Sequence, residues 1–236
     1  MNNDDSSTLS YKELRAVVGV LAFALPVILI VGGIVIEGYS VQDSISSYYY
    51  TNLRGVFVGI LFITGAFLFT YRPTKCYKDG SFDSVLGDFA CIFAIGVALF
   101  PTDPTVLSTL SAEVIESCTK VVEVCSQEVI GKLHFVFAAL YFITLIIFAG
   151  FLFTKSDKPE GAMGTQKERR NRIYRWCAGI MAACIILIGI YSWRLEGKYD
   201  LLDYFKPVLV LETAAIWAFG ISWFTKAEIL IYKDKD

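Results

Sequence analysis

The stretch Glu37–Gly59, EGYSVQDSISSYYYTNLRGVFVG, decides how the chain is read. It lies between two long apolar runs. Within a dozen residues it gathers Asp43, Ser44, Ser46, Ser47, Tyr48, Tyr49, Tyr50 and Arg54. So dense a set of hydrogen-bonding groups between two stretches of hydrocarbon character marks a membrane boundary.

Composition supports that reading. The 236 residues are 55% hydrophobic and 19% charged, with a mean hydropathy of +0.55. Ordinary soluble domains carry about 45–50% apolar and about 25% charged residues. The charges here are segregated and leave apolar runs of about 18–22 residues, enough to cross a hydrocarbon layer ~30 Å thick. The expected fold class is all-α, a polytopic six-helix transmembrane bundle in a single membrane domain. Spans are expected at 16–36, 54–71, 84–100, 132–154, 173–193 and 207–224. Pro26 falls inside the first and is expected to kink it. Gly32, Gly33 and the Gly55-x-x-x-Gly59 motif offer small faces for helix packing.

Residues 1–15 read as a polar, initially disordered lead-in. They lack the basic region of a cleavable signal, so the first span is expected to stay as an anchor. The connection 102–131 reads as an outer loop. Its Leu107, Leu110, Val114, Val121 and Val122 recur near helical spacing, as in a helix lying on the membrane.

Orientation follows from the lysine and arginine bias. With the N-terminus inside, the inner segments hold fourteen of these residues and the outer loops four, Lys120, Arg194, Lys198 and Lys206. Both termini are therefore expected in the cytoplasm, in a plasma or inner membrane, with the tyrosine stretch outside. The run Lys167–Arg172, KERRNR, reads as an inside determinant, with contact to anionic lipid as its functional alternative.

Cys118 and Cys125 share the outer loop, a disulfide-permissive side. On one continuous helix they would stand about 10 Å apart, too far to bridge. A disulfide needs a turn between them; otherwise both are unpaired. The single histidine excludes multi-histidine zinc sites, and no cofactor or metal is expected. The net charge of -2 gives no nucleic-acid footprint. The expected partners are membrane lipids, with a homo-oligomer or a second membrane protein as a further option.

Ionisable residues at membrane depth carry the functional interest. Asp88 falls near the inner end of its span and reads as an ion-pair partner of Arg72 or Arg175. Arg54, His134 and Glu212 fall at one level in the outer half. A carboxylate there is costly unless paired, so Arg54 or His134 is the expected partner of Glu212. A Glu–His pair relays protons or acts as base and orienter; equally, it ties helices together. A Ser-His-Glu hydrolase can be drawn from Ser44, Ser46 or Ser47, without the nucleophile-elbow motif. The tyrosines read as an interfacial belt framing the site.

Three segments resemble a known family. They are Asp43–Ser46 (D-S-I-S) before the second span, Ala98–Asp103 (A-L-F-P-T-D) closing the third, and Leu133–Phe142 (L-H-F-V-F-A-A-L-Y-F) opening the fourth. With six spans and both ends inside, the chain resembles the DRAM-like six-helix superfamily, which includes autophagy modulators and GPI-anchor remodelling proteins, and looks most like its bacterial branch. The resemblance marks Asp43, Ser44, Ser46, Asp103 and His134, and implies a lipid-related or membrane-organising role without a catalytic mechanism. The long insertion between Asp103 and His134 departs from the family pattern. Ceramidase-like seven-helix hydrolases need several histidines and are set aside.

The leading expectation is an outer-leaflet pocket for a lipid or amphiphile. Asp43, Ser44, Ser46, Tyr48, Tyr49, Tyr50, Arg54, His134 and Glu212 would line it, with Arg54 holding an anionic head group. The alternatives are an intramembrane lipid hydrolase or transferase using His134 and Glu212, and a proton-coupled transporter with Glu212 as coupling residue.

Overall fold

The computed structural model describes residues 4–36, 38, 41–71, 80–102, 127–156, 164–195, 198 and 203–231. Within these the fold is all-helical: α1 Asp4–Val35, a 3-10 turn Ser46–Tyr50, α2 Arg54–Thr70, α3 Gly80–Leu99, α4 Gln127–Ile147 continued by a π-turn Phe148–Leu152, α5 Thr165–Arg194, and α6 Pro207–Lys226. Among the described residues four helices are long and apolar enough to cross a membrane: Tyr11–Val35 of α1, Val129–Leu152 of α4 with its π-turn, α5 and α6. The apolar helices Arg54–Thr70 and Ser84–Leu99 are shorter. At ~1.5 Å per residue, seventeen residues reach only about 26 Å.

The expected spans all fall on helices, but two helices reach well beyond them. α1 starts at Asp4, so the expected disordered lead-in is helical from that residue on. α5 starts at Thr165, so the run Lys167–Arg172 belongs to a helix instead of a loop. Hydropathy locates where a helix meets lipid; backbone hydrogen bonding continues past that level wherever the residues tolerate it. The helix α1 also runs through Pro26 without a break. Asp103, Cys118, Cys125 and the loop helix expected in 102–131 lie outside the described residues, apart from Thr102 and the start of α4.

Each helix packs on its sequence neighbours, and α6 closes the ring against α1. The core is shared by all of them: Leu29 and Val18 of α1, Leu68 of α2, Ala90 and Ala94 of α3, Phe148 after α4, Met181 and Tyr174 of α5, and Trp223 of α6 are all buried. Large apolar residues point the other way as well. Val31 and Ile34 of α1, Ile143 of α4 and Ile186 and Ile190 of α5 are exposed. A water-soluble bundle rarely leaves so much apolar surface bare; by length, composition and this surface, the chain is a helical membrane protein.

The small residues that permit packing are not the expected ones. A Cβ on Gly55 or Gly59 would meet nothing within 4 Å, so that motif is not a helix contact here. Gly32 and Gly33 face Leu53 and Tyr48 of the connecting segment, not another helix. Gly96, Gly19 and Gly220 lie close against side chains of a neighbouring helix, and at Gly87 of α3 the neighbour is backbone: a Cβ would stand 2.6 Å from the Leu68 carbonyl oxygen of α2. Backbone cannot yield as a side chain does. Gly87→Ala is therefore expected to cost about 1–3 kcal/mol by overpacking, lowering the unfolding temperature in detergent by about 2–4 °C per kcal/mol. Gly55→Ala should leave it unchanged.

Candidate functional site

The Asp43–Tyr50 segment docks on the first turns of α6 and on α4 about two turns from its start, and the sequence explains why. A helix start leaves its first N–H groups without partners. Pro207 opens α6 and has no N–H to satisfy. One of the remaining orphans is used: the Leu209 N–H donates to the Asp43 carbonyl at 3.0 Å. Lys206, just before the helix, takes a left-handed backbone with φ 48. Its ammonium donates to Asp43 Oδ1 at 2.7 Å. One turn into α6, Glu212 Oε2 accepts the Ile45 N–H at 2.6 Å.

The adjacent residue reaches α4. Ser46 Oγ lies 3.0 Å from His134 Nε2, and His134 Nδ1 lies 2.6 Å from the Phe100 carbonyl oxygen. A carbonyl only accepts, so Nδ1 carries the proton. In the neutral ring Nε2 is then an acceptor, and the Ser46 hydroxyl donates to it. His134 is 2% exposed. Ser44 Oγ accepts the Ser47 N–H at 3.0 Å and bonds the Ser47 hydroxyl at 2.7 Å, which shapes the turn before the tyrosines.

These groups line one end of a cavity of about 770 Å³. Asp43, Ser44, Ser46, Thr102, His134, Asp203, Lys206 and Glu212 form its polar end, with Tyr191 and Ser192 near the end of α5. Phe135, Ala138 and Phe142 of α4 and Ile185 and Ile188 of α5 form its apolar walls. A second, largely apolar pocket of about 70 Å³ shares Ser46, Ala138, Phe142 and Glu212 with it.

The sequence-predicted residues separate into two groups. Asp43, Ser44, Ser46, His134 and Glu212 are brought together at the cavity. The tyrosines and Arg54 are not among its lining residues. Tyr48 is buried against Gly33. Burial pushes its hydroxyl above the ordinary tyrosine value, with the Gln42 N–H as a smaller opposing effect. The Tyr50 hydroxyl donates to the Thr102 carbonyl at 2.5 Å. Tyr49 takes the exposed Arg54, whose guanidinium stands 4.2 Å from the ring centre and donates to its hydroxyl at 2.5 Å. The tyrosines thus tie the segment down, and Arg54 is engaged outside the cavity.

The expected Glu212–His134 pair is also revised. Both side chains hold the Ile45–Ser46 segment, but the orienter of His134 is the Phe100 carbonyl, and Glu212 serves a backbone N–H. Sequence reading missed Lys206, Asp203 and Tyr191. The Tyr191 hydroxyl donates to Asp203 Oδ1 at 2.5 Å. Lys206 was readable in principle, since it is a cation at the same outer boundary as the carboxylate Asp43. Asp203 and Tyr191 had no such signal.

Among the described residues no group of three His, Cys, Asp or Glu side chains is arranged to hold a metal ion. The site offers a head-group-sized polar end, a serine–imidazole pair of fixed tautomer, and apolar walls. No family model matches the chain, and no curated protein or solved structure matches it.

Proposed function

We propose that the protein is a six-span membrane protein that takes an amphiphile into the cavity between α4 and α5. The head group would lie against Ser46, His134 and Lys206, and the acyl chain along Phe142 and Ile188. The observation that carries this reading is one continuous cavity of about 770 Å³ with a polar end and apolar walls. Ligand sites commonly have about 300–1,000 Å³ and a few convergent polar groups. The shorter α2 and α3 complete six crossings by local bilayer thinning, at a modest cost per ångström. The charge bias supports cytoplasmic termini and an outer-leaflet site in the plasma or inner membrane. The motif resemblance to the DRAM-like superfamily supports a lipid-related role.

The lining refines the ligand class. It holds three carboxylates, Asp43, Asp203 and Glu212, against one cation, Lys206, which is already paired with Asp43. With Arg54 outside, this balance disfavours an anionic head group. It favours one rich in hydroxyls or bearing an amine. Native mass spectrometry of the detergent-solubilised chain is expected to show retained amine-headed or polyol-headed lipid. Gly189→Leu adds bulk where a Cβ meets nothing within 4 Å, on a residue that lines the cavity. It should cut retention about tenfold or more while leaving helix content unchanged. Equal retention by that variant would contradict the reading.

The Ser46–His134 contact favours a second reading, acyl transfer. Ser46 Oγ would bond to an ester carbonyl carbon as its proton passes to His134 Nε2. The departing alcohol would then take that proton, and water would release the acyl group from Ser46. A fluorophosphonate probe should label Ser46 if this holds; absence of label with lipid retention intact leaves binding alone.

A further inference from the structure

A second cluster occupies the opposite end of the bundle, away from the cavity. It gathers Arg15 of α1, Lys167 and Arg170 of α5, and Lys226 at the end of α6. The Lys226 ammonium stands 5.1 Å from the centre of the Phe153 ring, and Lys167 Nζ donates to the Phe153 carbonyl at 3.0 Å. The Arg15 guanidinium stands 6.0 Å from the Tyr71 ring, which is itself 6.1 Å from Phe153. Arg15, Lys167 and Arg170 are all close enough to Lys226 for their charges to repel it. The carboxylate that attracts Lys226 is Glu228, which is held by Lys12 at 2.6 Å. Glu168, the neighbour in sequence, is exposed.

Four cations therefore converge, and two of them, Arg15 and Arg170, have a buried donor without an acceptor among the described residues. Arg170 is 8% exposed, yet its Nη1 has no partner among the described residues. The same holds for Arg15 Nε and for Nε1 of Trp223, which is 2% exposed and has its ring 5.2 Å from Phe153. Buried N–H groups are almost always paired. All three orphans are donors, so what they lack is an acceptor. Excess positive charge and several donors at one place call for an anion with several oxygens, and the planar guanidinium fork matches phosphate.

We propose that this end of the bundle binds one phosphate oxyanion, carried on an anionic phospholipid head group or free as inorganic phosphate, held by Arg15, Arg170 and Lys226. The orphaned Trp223 indole N–H contributes a neutral donor. The proposal does not depend on the cavity reading. It gives the basic run of α5 a ligand beyond its part in setting topology.

The test uses the full chain in a zwitterionic detergent, with unfolding temperature and native mass spectrometry as readouts. The probes are phosphatidylglycerol, phosphatidylcholine and inorganic phosphate. Phosphatidylglycerol is expected to raise the unfolding temperature and to remain as a single adduct, and phosphatidylcholine to do neither. An equal effect of inorganic phosphate identifies the free ion as sufficient; no effect of it assigns the site to lipid. Arg170→Gln and Lys226→Gln should each weaken the response about tenfold, and Lys198→Gln at the cavity end should not. Should Arg170→Gln fail to fold, Arg15→Gln with Lys226→Gln carries the comparison. Absence of any response to both phosphate probes, or an equal response in the variants and the parent, overturns the proposal.

Discussion

Replacing His134 by alanine is expected to destabilise the folded chain by about 2–6 kcal/mol, from two partners left unpaired at about 1–3 kcal/mol each. The ring bridges two chain segments. Its Nδ1–H serves the Phe100 carbonyl at the end of α3, and its Nε2 takes the Ser46 hydroxyl. At 2% exposure the ring has almost no water to replace either bond. The lower end of the range applies where the Ser46 hydroxyl finds water in the cavity it lines.

His134→Asn separates structure from function. The asparagine amide can reproduce the Nδ1–H bond to Phe100 but does not reach Ser46. It should recover most of the lost stability in thermal unfolding while remaining defective in lipid retention and in any Ser46 labelling. Full retention in His134→Asn would show that the imidazole is only a structural bridge.

Glu212→Leu is the second large effect. The Ile45 N–H donates to this side chain at 2.6 Å, and a buried donor left without its acceptor costs about 1–3 kcal/mol. Leucine removes the acceptor and keeps the volume, so the loss comes from an orphaned N–H, not from a void. The consequence should be local. Asp43 remains held to Lys206 and Leu209, but the Ser46 side of the segment is released from α6. Hydrogen exchange at Ile45–Ser47 should accelerate while α2 and α3 stay protected, and lipid retention should fall. Glu212→Gln keeps an acceptor oxygen and should lie close to the parent in both. Were Glu212→Gln as damaging as Glu212→Leu, the negative charge itself would be required, as a proton-coupling role demands.

The helices were legible because hydropathy over about 20 residues is a strong signal. Their ends were not, as α1 and α5 show, because the helical backbone continues past the level where hydropathy changes. At the site, Asp43, Ser46, His134 and Glu212 were readable as polar residues near one membrane level. Their pairing was not. Depth counting gives heights along the bundle but not azimuth, so it could not tell that Arg54 turns to Tyr49 while Lys206 turns to Asp43. Nor does a pattern of side chains reveal that a backbone carbonyl, Phe100, orients the histidine. The Gly55-x-x-x-Gly59 motif illustrates the same limit: its spacing suits packing, yet α2 and α3 approach each other at Gly65 and Gly87 instead.

The most direct measurement is a density map of the chain in lipid nanodiscs, with a bound antibody fragment for size. The amphiphile reading predicts elongated density between α4 and α5, its head within hydrogen-bond distance of Ser46, His134 or Lys206 and its tail along Phe142 and Ile188. A cavity filled by the chain's own residues, or one holding water with no tail density along α4, would contradict it.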